Sequence, residues 1–85
     1  MDQSTAQPEV VIYSTPTCHF CALSKEYFAQ NNVAFTNHDV SADFEKRQEM
    51  IEMTGQMGVP VIRIGNDVVI GFDKPKLAEL LNIKE

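Results

Sequence analysis

Val10-Val11-Ile12-Tyr13-Ser14-Thr15-Pro16-Thr17-Cys18-His19-Phe20-Cys21 decides how the rest of the chain is read. Its first four residues form a short, mostly β-branched apolar run without polar alternation, the pattern of a strand buried on both faces. Ser14-Thr15-Pro16-Thr17 breaks that run, and Thr17 is placed to cap a helix over about residues 18–30. The only two cysteines of the chain, Cys18 and Cys21, therefore fall at a helix start. Unpaired backbone N–H groups and the positive end of the helix macrodipole favour a thiolate there. Cys18 is the expected attacking sulfur. Cys21, one turn deeper, is the expected resolving sulfur, closing a short-loop disulfide that releases the substrate.

Two other uses of a cysteine pair fit less well. A structural zinc site needs four ligands, and the only histidines are His19, inside the loop, and His38. A permanent disulfide across so short a ring removes little entropy from the unfolded chain. Thiol–disulfide exchange is the remaining chemistry.

The 85 residues, 44% of them hydrophobic, suffice for one small domain with a thin core. Residues 1–8 are polar and end in Pro8, so a flexible tail is expected there, with the domain over residues 9–85. Twelve acidic against seven basic side chains give a formal charge of −5, with the basic residues scattered. Phosphate backbones are repelled by such a surface, so no nucleic-acid partner is expected. No run approaches the ~20 apolar residues of a membrane span, and the N-terminus lacks the basic and apolar regions of a signal peptide. The expected location is the cytoplasm, where a C-x-x-C pair is more often catalytic or metal-binding than structural.

Downstream, Asn31-Asn32 ends the first helix, whose buried face draws on Leu23 and Tyr27 together with Phe20, Ser24 and Phe28. Residues 33–40 read as a second strand running into a cap at Ser41, followed by a helix over about residues 43–54 that Gly55 stops. Residues 59–64 and 67–70 flank Gly65-Asn66, a hairpin signal. Asp73 is placed to cap a last helix with Pro75 in its first turn and Leu77, Leu80 and Leu81 at core spacing. The order β-α-β-α-β-β-α predicts an α/β fold with a four-stranded mixed sheet and helices on both faces.

From the strand into Cys18-His19-Phe20-Cys21, through Gly58-Val59-Pro60, to Gly71-Phe72-Asp73, the sequence resembles the glutaredoxin branch of the thioredoxin superfamily. The likeness is greatest to small bacterial glutaredoxin-like proteins of the YruB type and to NrdH redoxins. It implies a thioredoxin-like fold, a cis Pro60 facing the cysteines, and Val59 offering its backbone N–H and C=O to an extended thiol substrate. The implied substrate surface comprises Thr17, His19 and Phe20, then Val59 and Pro60, then Gly71, Phe72 and Asp73. Tyr13 and Phe72 are also suited to the core. Met50 and Met53 are suited to helix packing, Met57 to an adaptable surface, and His38 to a solvent-facing strand position.

Departures from the family pattern bear on the substrate. His19 replaces the proline common after the first cysteine. Thr15 stands where a lysine often holds the glycine carboxylate of glutathione. Gly58 replaces threonine before Val-Pro, and Gly71-Phe72-Asp73 replaces a Gly-Gly-x-Asp segment. A cationic His19 adjoining Cys18 adds an electrostatic pull on the thiolate. The expected activity is a monomeric dithiol–disulfide oxidoreductase with no tightly bound cofactor. It reduces disulfide-containing proteins or small disulfides and is recharged by thioredoxin reductase or by glutathione as co-substrate. The alternative is a glutathione-dependent [2Fe–2S] carrier bridging two subunits, since some family members lacking that proline hold such a cluster.

Overall fold

A computed structural model describes residues 8–83. In chain order the elements are β1 (Val10–Ser14), α1 (His19–Gln30), β2 (Thr36–Asp39), α2 (Phe44–Thr54), β3 (Val61–Ile64), β4 (Asp67–Ile70) and α3 (Lys74–Leu81). The strands lie in the order β2-β1-β3-β4, with β1 parallel to β2 and antiparallel to β3, and β3 antiparallel to β4. This is the mixed four-stranded sheet anticipated from the pattern. The tail expected over residues 1–8 falls, for residues 1–7, outside the described residues.

All five residues of β1 are buried because helices cover both faces of the sheet, and the pleat sends alternate side chains to opposite cores. Val10 and Ile12 join Tyr27 and Phe28 of α1 and Leu77 of α3. Val11 and Tyr13 join Met50 of α2. The partner strand follows the same alternation: Ile62 and Ile64, paired with Ile12 and Val10, lie in the first core, and Val61, paired with Tyr13, lies in the second. Burial of the Tyr13 ring leaves its hydroxyl in need of an acceptor, and it donates to Glu49 Oε1 on α2 at 3.1 Å.

Element starts differ from the expected ones, and the reason is backbone hydrogen bonding. Helix α1 begins at His19, and its cap is Cys18, whose sulfur accepts the Cys21 N–H, so Thr17 does not cap it. Helix α2 is capped by Asp43, which accepts from the Lys46 N–H. Ser41 instead donates its N–H and hydroxyl to Asp39, folding the strand end into a turn. The second strand starts three residues later than expected because Val33 gives its N–H to Phe28 O at 2.8 Å, completing a left-handed C-terminal turn at Asn32 (φ 58°). A donor used by the helix is lost to the sheet. Phe20, expected on the buried face of α1, is 56% exposed. Gly55, at φ 76°, ends α2 as anticipated.

Candidate functional site

The carboxyl end of β1 delivers the chain to α1 through Thr15-Pro16-Thr17, with the Cys18 N–H donating to Thr15 O at 3.3 Å. That turn sets Cys18 at the helix cap, in extended backbone, with its side chain folded over the first turn. There Sγ accepts the Cys21 N–H at 3.1 Å, taking up one of the donors that a helix start leaves unpaired. Across the loop, Cys18 Sγ lies 3.9 Å from the carbonyl oxygen of Val59, toward which its thiol points. The Val59–Pro60 bond is cis, as the resemblance implied.

The two sulfurs are not equivalent. Cys18 is half-buried, whereas Cys21 has no exposed surface. Burial pushes the Cys21 thiol up to about 12, and a hydrogen bond to the Cys18 sulfur adds to the rise. A hydrogen bond from the Thr15 backbone and the charge of Lys25 act in the opposite direction. Cys21 therefore rests as a protonated thiol beneath a more accessible sulfur.

Around this pair the structure collects most, not all, of the expected substrate surface. Pro60 O accepts the Gly71 N–H at 2.8 Å, which fastens the Gly71-Phe72 segment to the Val59-Pro60 loop. Gly71 sits at φ 86°, a conformation costly for side-chain-bearing residues. Thr17, His19 and Phe20 are exposed on the cysteine loop, with the His19 ring edge-on to Phe20 at 5.4 Å. Phe72 is half-buried and packs against the core, edge-on to Tyr27 with ring centroids 5.9 Å apart. Asp73 caps α3, accepting the Lys76 N–H at 3.3 Å. His38, expected to face solvent, is half-buried, its ring 5.6 Å from that of Tyr13. Met50 and Met53 pack in the second core, and Met57 is 55% exposed, its sulfur accepting from Arg47 Nη2 at 3.7 Å.

Sequence reasoning missed two neighbours of the site. Lys25 lies one helical turn beyond Cys21, a spacing that could have flagged it. Gln56 lays its side-chain amide alongside Gly58, 3.5 Å from where a Cβ would stand, a placement that only the folded loop reveals. Among the described residues no three His, Cys, Asp or Glu side chains gather as a metal site, and no helix is long and apolar enough to cross a membrane.

Residues 10–69 match the glutaredoxin family model. Over 72 residues the chain is 40% identical to an uncharacterized glutaredoxin-like 8.6 kDa protein in a rubredoxin operon of Clostridium pasteurianum, covering 85% of this chain and 96% of that one. Glutaredoxin 3 of Escherichia coli strain K12 is 33% identical over 64 residues, 75% of this chain and 77% of its own. The crystal structure of a mutant of a thioredoxin-like protein is similar with a TM-score of 0.85 at 34% identity, covering 89% of this chain and 97% of that one. A cysteine pair at the start of a helix, beside a cis proline, is thus found in a chain whose sequence matches the glutaredoxin model and its relatives, and the chain belongs to the glutaredoxin family of thiol–disulfide oxidoreductases.

Proposed function

We propose that the protein reduces disulfides by a two-cysteine mechanism in which Cys18 attacks and Cys21 resolves. The asymmetry of the two sulfurs carries this reading: one is reachable and capped by a backbone N–H, and the other is buried and protonated. The Cys18 thiolate attacks one sulfur of the substrate disulfide. The substrate S–S bond breaks, the leaving thiolate takes a proton from solvent, and a mixed disulfide remains on Cys18. Cys21 then loses its proton and attacks the Cys18 sulfur, expelling the second substrate thiolate. The Cys18–Cys21 disulfide so formed needs two electrons and two protons from an external reductant.

Substrate is held mainly through its backbone. Val59 presents main-chain groups beside Cys18, a pairing mode that tolerates varied side chains and suits disulfide-containing proteins. Thr17, His19, Phe20, Gly71 and Phe72 border the approach, and Asp73 meets substrate only at its margin, since its carboxylate is engaged at the start of α3.

Glutathione contacts are thinned by Thr15 and Gly58, which favours thioredoxin reductase over glutathione as the electron donor. The test is NADPH consumption with bis(2-hydroxyethyl) disulfide, supplying thioredoxin reductase alone or glutathione with its reductase. Turnover with thioredoxin reductase alone is expected; turnover with glutathione alone reverses the donor assignment, and turnover with neither refutes the oxidoreductase reading. The cytoplasm is the compartment that supplies both reductants, and a monomer is the expected working form. A visible charge-transfer spectrum after anaerobic purification would favour the bridged cluster instead.

A further inference from the structure

The resolving step poses a problem that the cysteines alone do not solve. Cys21 is fully buried, and its attack requires a thiolate in a place that disfavours one. The groups acting on its sulfur are Cys18 at the loop start, the Thr15 backbone from the β1–α1 connection, and Lys25 from its own helix. Once Cys18 is held in a mixed disulfide it carries no charge, so Thr15 and Lys25 are left to favour the Cys21 thiolate. Lys25 is half-buried and stands four residues beyond Cys21 on α1, a spacing that makes the two neighbours on one face of the helix. The Lys25 charge also reaches Asp39. Asp39 ends β2 opposite Ser14, next to Thr15, and its carboxylate is fixed by the Ser41 N–H and hydroxyl.

We infer that Lys25 is a positioning residue for resolution, its ammonium holding negative charge on the Cys21 sulfur while that sulfur attacks the mixed disulfide. The inference rests on the two-cysteine reading. The step balances without an added reactant: the Cys21 proton goes to solvent, the Cys21–Cys18 bond forms, the bond from Cys18 to the substrate sulfur breaks, and the expelled thiolate is protonated from solvent.

The reaction of reduced protein with dithionitrobenzoate separates the two steps, since each releases one coloured thiol. The first release reports attack by Cys18 and the second reports resolution by Cys21. Lys25→Gln is expected to leave the first phase unchanged and to slow the second about tenfold at pH 7, since the rate of attack follows the thiolate fraction. Its pH profile for the second phase shifts upward, and added salt slows the wild-type second phase toward that of the variant. Lys25→Arg, which keeps the charge, restores the second phase to within about threefold of wild type. An unchanged second phase in Lys25→Gln overturns the role of Lys25 while leaving the two-cysteine reading intact. Equal slowing of both phases also overturns it, by making Lys25 a support of the whole site. Release of a single thiol by the wild-type protein refutes the two-cysteine reading itself.

Discussion

Alkylation of the folded, reduced protein should stop at one adduct, on Cys18. At pH 8 an ordinary cysteine with a pKa of 9.0 is about 10% thiolate, whereas Cys21, pushed up to about 12, is about 0.01% thiolate. That ratio alone makes Cys21 about a thousandfold slower than a free thiol, because the thiolate is the nucleophile. Its lack of exposed surface slows it further. Modifying Cys18 removes the hydrogen bond and charge that contribute to the rise, but burial is the largest cause and remains, so the second reaction stays slow. The assay is iodoacetamide treatment at pH 8 followed by intact mass and fragmentation, with a denatured control that should take two adducts. A second adduct on folded protein at a rate within about tenfold of a free thiol would refute the reasoning, since burial and protonation together predict far slower reaction.

Three further outcomes follow from the same structure. Because the folded Cys21 value lies above its ordinary one, the reduced protein should hold its Cys21-linked stability below about pH 9 and lose it as pH rises toward about 12. Denaturant melts across that range check this, with a Cys21→Ala variant showing a flatter dependence. Tyr13→Phe removes the hydrogen bond that holds the Glu49 carboxyl below its ordinary range, and should cost about 1 kcal/mol at neutral pH. The Glu49 contribution is present above its ordinary pKa of 4.5 and lost as pH falls through the depressed value, so the variant and wild type should converge in acid. Asp73→Ala strips the cap of α3 and should lower the melting temperature by about 4–8 °C, for a loss of about 1 kcal/mol in a domain this small. Disulfide turnover measured well below the transition should be unaffected, which would place Asp73 outside the chemistry.

Much of this was written into short stretches of sequence. The apolar Val10-Val11-Ile12-Tyr13 run specified a central strand because a strand covered on both faces has no polar side to show. Gly55 and Asp73 marked helix ends because their conformational freedom and side-chain acceptor act locally. Competition between equivalent local donors and acceptors was not legible. Thr17 is a favoured cap residue and Cys18 is not, yet the turn gives the cap to Cys18; Ser41 and Asp43 are both favoured, and only the tertiary turn decides which one faces the orphan N–H groups. Val33 looked like strand because its side chain is β-branched, but its amide was already committed to Phe28. Phe20 has a core-type side chain, yet the cysteine loop turns it outward. The cysteines themselves were plain and the four-residue step from Cys21 to Lys25 was there to be read, whereas Gln56 acquires its relation to the site only once the chain folds back around it.

The central claim, that Cys18 attacks and Cys21 resolves, is tested most directly by trapping the intermediate. Reduced Cys21→Ser and Cys18→Ser variants are each exposed to bis(2-hydroxyethyl) disulfide and followed by intact mass. The account predicts that Cys21→Ser accumulates one mixed-disulfide adduct, on Cys18, while Cys18→Ser forms none over the same period. Adduct formation on Cys21 in the Cys18→Ser variant at a comparable rate, or its absence from Cys21→Ser, would contradict it.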